Sequence, residues 1–214
     1  MFKENDVLLF QGDSITDCKR DRENFSSCGH GYANLLKSRF LYEYPNKNLT
    51  IYNKGISGNR ITDLYARFDE DCYALNPTVL SILIGVNDVW HEFSRGNGVD
   101  AVKFEYTYNL LLTEVKERFP KIKLIMMEPF VLEGGLPIGD YAVWRKEMDL
   151  RRDIVENLAA RHDAIFISLQ DEFDDACKKA PDIYWLYDGV HPTAAGHMLI
   201  AEKWLKIVSE KMGR

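Results

Sequence analysis

Five short apolar runs, separated by stretches whose apolar residues recur at helical spacing, constrain the 214-residue chain more than any other feature. Val7-Leu8-Leu9-Phe10 comes first, followed by Tyr32, Leu35, Leu36 and Phe40 on one helical face and by Leu49-Thr50-Ile51-Tyr52. Val79 to Ile84 forms the third run. A Gly- and Asn-rich loop then leads to a helical pattern carrying Tyr108, Leu111, Leu112, Val115 and Phe119, which Pro120 stops. Leu124-Ile125-Met126-Met127 is the fourth run, Leu150, Ile154 and Leu158 mark the next helix, and Ala164 to Ile167 is the fifth. A closing helix with Ile200, Trp204, Ile207 and Val208 begins after Thr193, a residue type that caps helix N-termini. Strand-like runs alternating with helices predict a five-stranded parallel sheet with helices on both faces, an α/β/α sandwich.

The length predicts one domain over residues 1–214. A composition of 46% hydrophobic and 28% charged residues excludes disordered and coiled-coil classes. The net charge of −6 supplies no basic field for nucleic acid or anionic lipid, so neutral or polar small partners fit better. Cys18, Cys28, Cys72 and Cys177 show no metal-binding spacing and read as reduced thiols. With no signal-like segment at Met1 and no run of about 18 apolar residues, no membrane insertion is expected and the cytoplasm is the default location. The irregular segment Glu133 to Asp140 reads as a surface flap, and aromatic and Met residues near the C-terminus suit either a homo-oligomer contact or core packing.

Parallel sheets bind ligands outside the carboxyl ends of their strands. The chemically capable residues fall there: Asp13-Ser14 after the first run, Gly55 and Gly58 after the second, Asn87-Asp88 after the third, Glu128-Pro129-Phe130 after the fourth, Asp188 and His191 beyond the fifth. A serine nucleophile needs an imidazole to take its proton and an acid to fix that ring's tautomer. Ser14 in Gly12-Asp13-Ser14 is the candidate nucleophile, although this tripeptide alone also suits a turn and cap. Two of the five histidines follow an aspartate by three, in Asp88-Val89-Trp90-His91 and Asp188-Gly189-Val190-His191. The second pair lies in a loop flanked by Gly189 and Pro192 just before a helix, where both side chains can face the first rim loop, so His191 is the expected base. The N–H groups of Ser14 and Gly58 and the carboxamide of Asn87 are candidate oxyanion donors; taken singly, a backbone turn for Gly58 and a local loop cap for Asn87 are the better readings. Asp13 and Asp88 read as loop supports.

Together, these blocks resemble the SGNH hydrolases, also called the GDSL esterase/lipase superfamily: Gly12-Asp13-Ser14, Gly58, Gly85-x-Asn87-Asp88 and the closing Asp188-x-x-His191, in order from residue 7 to 197. Ile15 stands where the family name implies leucine, an apolar exchange. The resemblance implies a flavodoxin-like sandwich, a Ser14–His191–Asp188 triad, an oxyanion hole of Ser14, Gly58 and Asn87, and no metal or organic cofactor. The strings Asn53 to Asn59, Ile84 to Trp90 and Val190 to His197 are similar to bacterial acetylxylan esterases and related carbohydrate deacetylases, which implies a small-molecule or oligosaccharide ester as substrate. Trp90, Phe130, Trp144, Tyr184 and Trp185 are candidate sugar-stacking residues, with core packing as the alternative for each. A lysophospholipase or acyl thioesterase is the rival within the superfamily. A noncatalytic sugar- or nucleotide-binding module is the rival outside it, although Asn53-x-Gly55-x-x-Gly58 lacks the first glycine of a dinucleotide loop.

Overall fold

Alternation within the strands decides the architecture. In β1 (Val7–Gly12) Leu8 and Phe10 face one way and Leu9 the other, and all three are buried, the signature of a strand covered on both faces. β2 (Thr50–Asn53), β3 (Val79–Leu83), β4 (Lys123–Met127) and β5 (Ile165–Ile167) join it in one parallel sheet of order β2-β1-β3-β4-β5. This is the flavodoxin-like order, with its switch point between β1 and β3, where the chain departs in opposite directions along the sheet. The structure is a computed structural model, and it describes residues 1–135 and 140–213.

After β1 come a single-turn helix α1 (Ser14–Asp17) and α2 (Tyr32–Glu43). Between β2 and β3 lie α3 (Ile61–Ala66), α4 (Phe68–Asp71) and a 3₁₀ turn at Tyr73–Leu75, segments too short to register a helical period in the sequence. Then follow α5 (Val86–Arg95), α6 (Ala101–Arg118), α7 (Tyr141–Arg161), α8 (Gln170–Ala176), α9 (Asp182–Trp185) and α10 (Ala194–Met212). Tyr32, Leu36 and Phe40 of α2 and Ile200, Trp204 and Val208 of α10 cover the Leu8/Phe10 face; Ile61 and Leu64 of α3 and Phe104, Tyr108 and Leu111 of α6 cover the Leu9 face. One polar residue, Ser81, sits in the middle of β3 and is fully buried. Its Oγ accepts the Trp204 indole N–H at 3.0 Å, which offsets the roughly 1–3 kcal/mol that an unpaired buried polar group costs.

Three expectations about helices need correction. The inward row of α7 is Trp144, Met148, Arg151, Val155 and Leu158, with Leu150 exposed and Ile154 on the flank. A charged residue occupies this stripe and hides it from the apolar pattern: Arg151 is buried, its guanidinium donating to the Val99 carbonyl at 2.7 Å and to Glu147. In α2, Leu35 is exposed and Ala33 takes the buried place. Asn87 and Asp88 lie not in a loop but in the first turn of α5, which starts directly after Gly85. Of the segment expected as a flap, residues 136–139 lie outside the described residues. Among the described residues no helix is long and apolar enough to cross a membrane.

Candidate active site

Each rim residue is placed by a local device. Ser14 opens α1, and Asp13 caps that turn by accepting the Ile15 N–H at 2.9 Å. The second loop makes a tight turn in which the Asn59 N–H donates to the Ile56 carbonyl at 3.1 Å. Gly58 occupies its third position at φ 84°, a backbone region that a side chain at that position would strain. The Asn87 carboxamide donates to the Asn59 carbonyl at 3.1 Å, which fastens the start of α5 to the Gly58 turn. Asp88, fully buried, accepts the Ile61 N–H on both oxygens at 3.1 and 3.2 Å and so ties α5 to the start of α3. The Ile56 N–H donates to the Gly12 carbonyl at 3.1 Å, so the ends of β1, β2 and β3 are bonded to one another at the switch point.

The remaining contribution arrives from the loop before α10. One Asp188 oxygen, Oδ1, accepts the N–H groups of Val190 and His191 at 3.1 and 2.7 Å, folding the loop back on its own carboxylate. The other, Oδ2, lies 2.7 Å from His191 Nδ1, and His191 Nε2 lies 2.8 Å from Ser14 Oγ. A carboxylate only accepts hydrogen bonds, so Nδ1 carries the ring proton. Nε2 then presents its lone pair to the Ser14 hydroxyl, which donates to it. The line from Asp188 through His191 to Ser14 is unbroken across 177 residues of sequence.

The electrostatics suit proton transfer near neutral pH. Burial opposes charging of the His191 ring, but the hydrogen bond and charge of Asp188, aided by the charge of Asp13, outweigh it and hold the imidazole pKa above its ordinary value. Burial likewise opposes ionisation of Asp188, yet its bonds to His191 and Val190 and the charge on the ring keep the carboxyl below the usual range, ionised as the ring's partner. Asp13 behaves differently. Burial pushes it up to about 7, against the opposing Ile15 N–H bond and the charge of His191, and its Oδ2 has no hydrogen-bond partner among the described residues. Burial raises Asp88 as well, with the Ile61 N–H and Arg151 acting against it.

The expected aromatics divide. Trp90 stands beside the His191 ring at 5.8 Å between centroids and packs edge-on against Trp144. Phe130 and Trp144 do not line an open subsite. Both are fully buried, Phe130 against Phe173 at 4.5 Å and Trp144 against Trp90 and Phe93, so neither has a face free for a sugar ring. Tyr184 and Trp185 pack on each other in α9 at 5.0 Å, Tyr184 exposed and the Trp185 indole N–H donating to the Ala180 carbonyl. Tyr187, absent from the sequence-derived candidates, is exposed and lies nearly parallel to the His191 ring at 5.7 Å. Its position directly before Asp188 was the available signal. Chemically, the line offers a hydroxyl with a base in place.

Comparisons with known proteins bear on the family and the fold. The model of the GDSL-like lipase/acylhydrolase family matches residues 10–199. An acetylxylan esterase from Geobacillus stearothermophilus is 36% identical over 208 residues, 93% of this chain and 92% of that protein. Among solved structures, a protein of Parabacteroides merdae assigned as a GDSL-like lipase superposes with a TM-score of 0.93 at 39% identity over 98% of both chains. Axe2, an acetylxylan esterase from Geobacillus stearothermophilus, does so at 0.86 with 34% identity over 96% of this chain and 95% of its own. Variants of Axe2 described as catalytic mutants replace a serine, an aspartate and a histidine by alanine. A family match from β1 into α10, together with a relative 36% identical over 93% of this chain, makes the chain a member of the GDSL-like lipase/acylhydrolase family.

Proposed function

We propose that the chain is a serine esterase that removes acetyl groups from the hydroxyls of xylo-oligosaccharides or related carbohydrates through an acetyl-enzyme. The observation that carries this reading is the hydrogen-bonded line Asp188–His191–Ser14, with spacings of 2.7 and 2.8 Å. The catalytic aspartate and histidine of Axe2 are three positions apart, as are Asp188 and His191 here.

Ser14 Oγ attacks the acetyl carbonyl carbon while its proton passes to His191 Nε2, and Asp188 stabilises the imidazolium that forms. The carbonyl oxygen becomes an oxyanion that the N–H groups of Ser14 and Gly58 and the Asn87 carboxamide receive. Collapse breaks the bond to the sugar oxygen, which takes the proton from Nε2 and leaves as an alcohol. Water, deprotonated by the same nitrogen, then attacks the acetyl-Ser14 carbonyl, and acetate departs as Ser14 regains its proton. Asp13 and Asp88 hold the loops. The exposed Tyr187 and half-buried Trp90, both against the His191 ring, offer flat faces for a sugar ring.

The test is acetate release from acetylated xylo-, cello- and manno-oligosaccharides, run beside lysophosphatidylcholine and p-nitrophenyl esters of two to twelve carbons. Release from the sugar esters, a steep loss beyond about four acyl carbons and abolition by Ser14→Ala are expected. Preference for acyl groups of eight or more carbons would instead assign a lipid ester.

A further inference from the structure

The N–H offered by Gly58 belongs to the peptide that joins it to Ser57, the centre of the Ile56–Asn59 turn, whose other anchors sit at its ends, the Asn59 N–H on the Ile56 carbonyl and the Asn87 and Arg67 side chains on Asn59. Ser57 is exposed, and a Cβ built on Gly58 would meet no atom within 4 Å. The side-chain bonds to Ser57 itself come from the first loop. Asp17, only 4% exposed, points its Oδ2 at the turn and accepts both the Ser57 N–H at 3.1 Å and the Ser57 hydroxyl at 2.9 Å. Asp17 also closes the helical turn that Ser14 opens, its own N–H donating to the Asp13 carbonyl at 2.8 Å. One buried carboxylate therefore links the element carrying the nucleophile to the residue from which the Gly58 N–H hangs.

We propose that Asp17 is a positioning residue for the reaction, fixing the Gly58 N–H where negative charge develops above Ser14. An oxyanion donor works only at about 2.7–3.1 Å from the forming charge, so a small drift of an exposed turn is enough to lose it. The other partners of Asp17 do not need it. The Arg22 guanidinium, 3.1 Å from Oδ2, is exposed, and the Arg20 N–H bond to Oδ1 is long at 3.3 Å. When the carboxylate is removed the Arg22 guanidinium and Ser57 return to water and the Arg20 N–H keeps its 2.9 Å bond to the Asp17 carbonyl, so the effect falls on turnover more than on folding.

This inference rests on the esterase reading, and the experiment separates the two. Asp17→Ala, Asp17→Asn and Ser57→Ala are assayed on p-nitrophenyl acetate beside Ser14→Ala, with kcat expressed per serine titrated to completion by a fluorophosphonate, well below each variant's Tm. Asp17→Ala is expected to lose about 10- to 100-fold in kcat, the upper end being the loss of one whole donor, with KM changed less than about threefold. Ser57→Ala keeps the backbone bond and should lose only about two- to tenfold, the worth of one hydrogen bond. The isosteric Asp17→Asn decides the matter if the alanine variant fails to fold, and it should also lower kcat. Turnover per titrated serine within about twofold of the parent for Asp17→Ala, or for Asp17→Asn where that variant decides, or a loss carried wholly by KM, would overturn the proposal. Activity persisting in Ser14→Ala would instead overturn the reading of a serine esterase that works through acetyl-Ser14.

Discussion

Two segments of the chain carry the same spacing, Asp88-x-x-His91 and Asp188-x-x-His191, and end in opposite states. In the first, α5 runs straight through the pair. Asp88 is turned into the protein onto the Ile61 N–H, while His91 stays near the surface, its pKa lowered by burial and by the neighbouring charges of Arg60 and Arg95. In the second, Gly189 at φ 80° breaks any helix, and the loop closes on Asp188 so that one carboxylate oxygen holds the backbone and the other the ring. The His191 pKa is raised, where that of His91 is lowered. An acid and an imidazole three residues apart become a working couple only when the intervening backbone turns both side chains to one point, and a charged neighbour decides which way the ring titrates.

The sharpest break of this comparison is His191→Ala against His91→Ala. The first should cost about 10⁴-fold or more in kcat on p-nitrophenyl acetate, and the second less than about twofold. A large loss in both would mean that the two segments are coupled in a way their hydrogen bonds do not convey. Next comes Asp188→Asn, which keeps an oxygen for the Val190 and His191 N–H groups but weakens control of the ring tautomer. A fall of about 10²- to 10⁴-fold in kcat is expected, with circular dichroism unchanged. Gly189→Ala should cost about 1–3 kcal/mol through its left-handed backbone, lowering Tm by several degrees in thermal melts and reducing kcat as the loop loosens.

The smallest effect lies in the pH profile. His191 must be neutral to accept the Ser14 proton, so kcat/KM should rise with pH through a midpoint above the ordinary histidine value of 6.5 and be lost below it. Asp13→Asn retains an oxygen to cap Ile15 but removes a charge that helps protonate the ring, so this acid limb should move to lower pH. An unmoved limb would show that Asp188 alone sets the titration.

The sheet and the rim were legible in the sequence because a doubly covered parallel strand leaves an uninterrupted apolar run and because ligand loops must follow strand ends. The Asp88 and Asp188 pairs could be told apart from flanking Gly189 and Pro192, again a backbone signal. Side-chain destinations were less legible. Phe130 and Trp144 follow rim positions in sequence, yet they point into the core against Phe173 and Phe93, and only the packing of α7 and α8 decides that. The buried Arg151 disguised the inner face of α7, since charge normally marks an outer one. Asp17 and Ser57 lie 40 residues apart, and no period or motif announces that one accepts two hydrogen bonds from the other.

The central claim is that Ser14 is a hydroxyl activated by His191 and not merely a cap at the start of α1. Intact-mass analysis after treatment with a fluorophosphonate addresses it directly, with peptide mapping of the adduct in the parent and in His191→Ala. One adduct per chain, on Ser14, forming in step with loss of esterase activity and only very slowly in the variant, is the predicted result. An active protein that acquires no adduct, or acquires it on another residue, would contradict the claim.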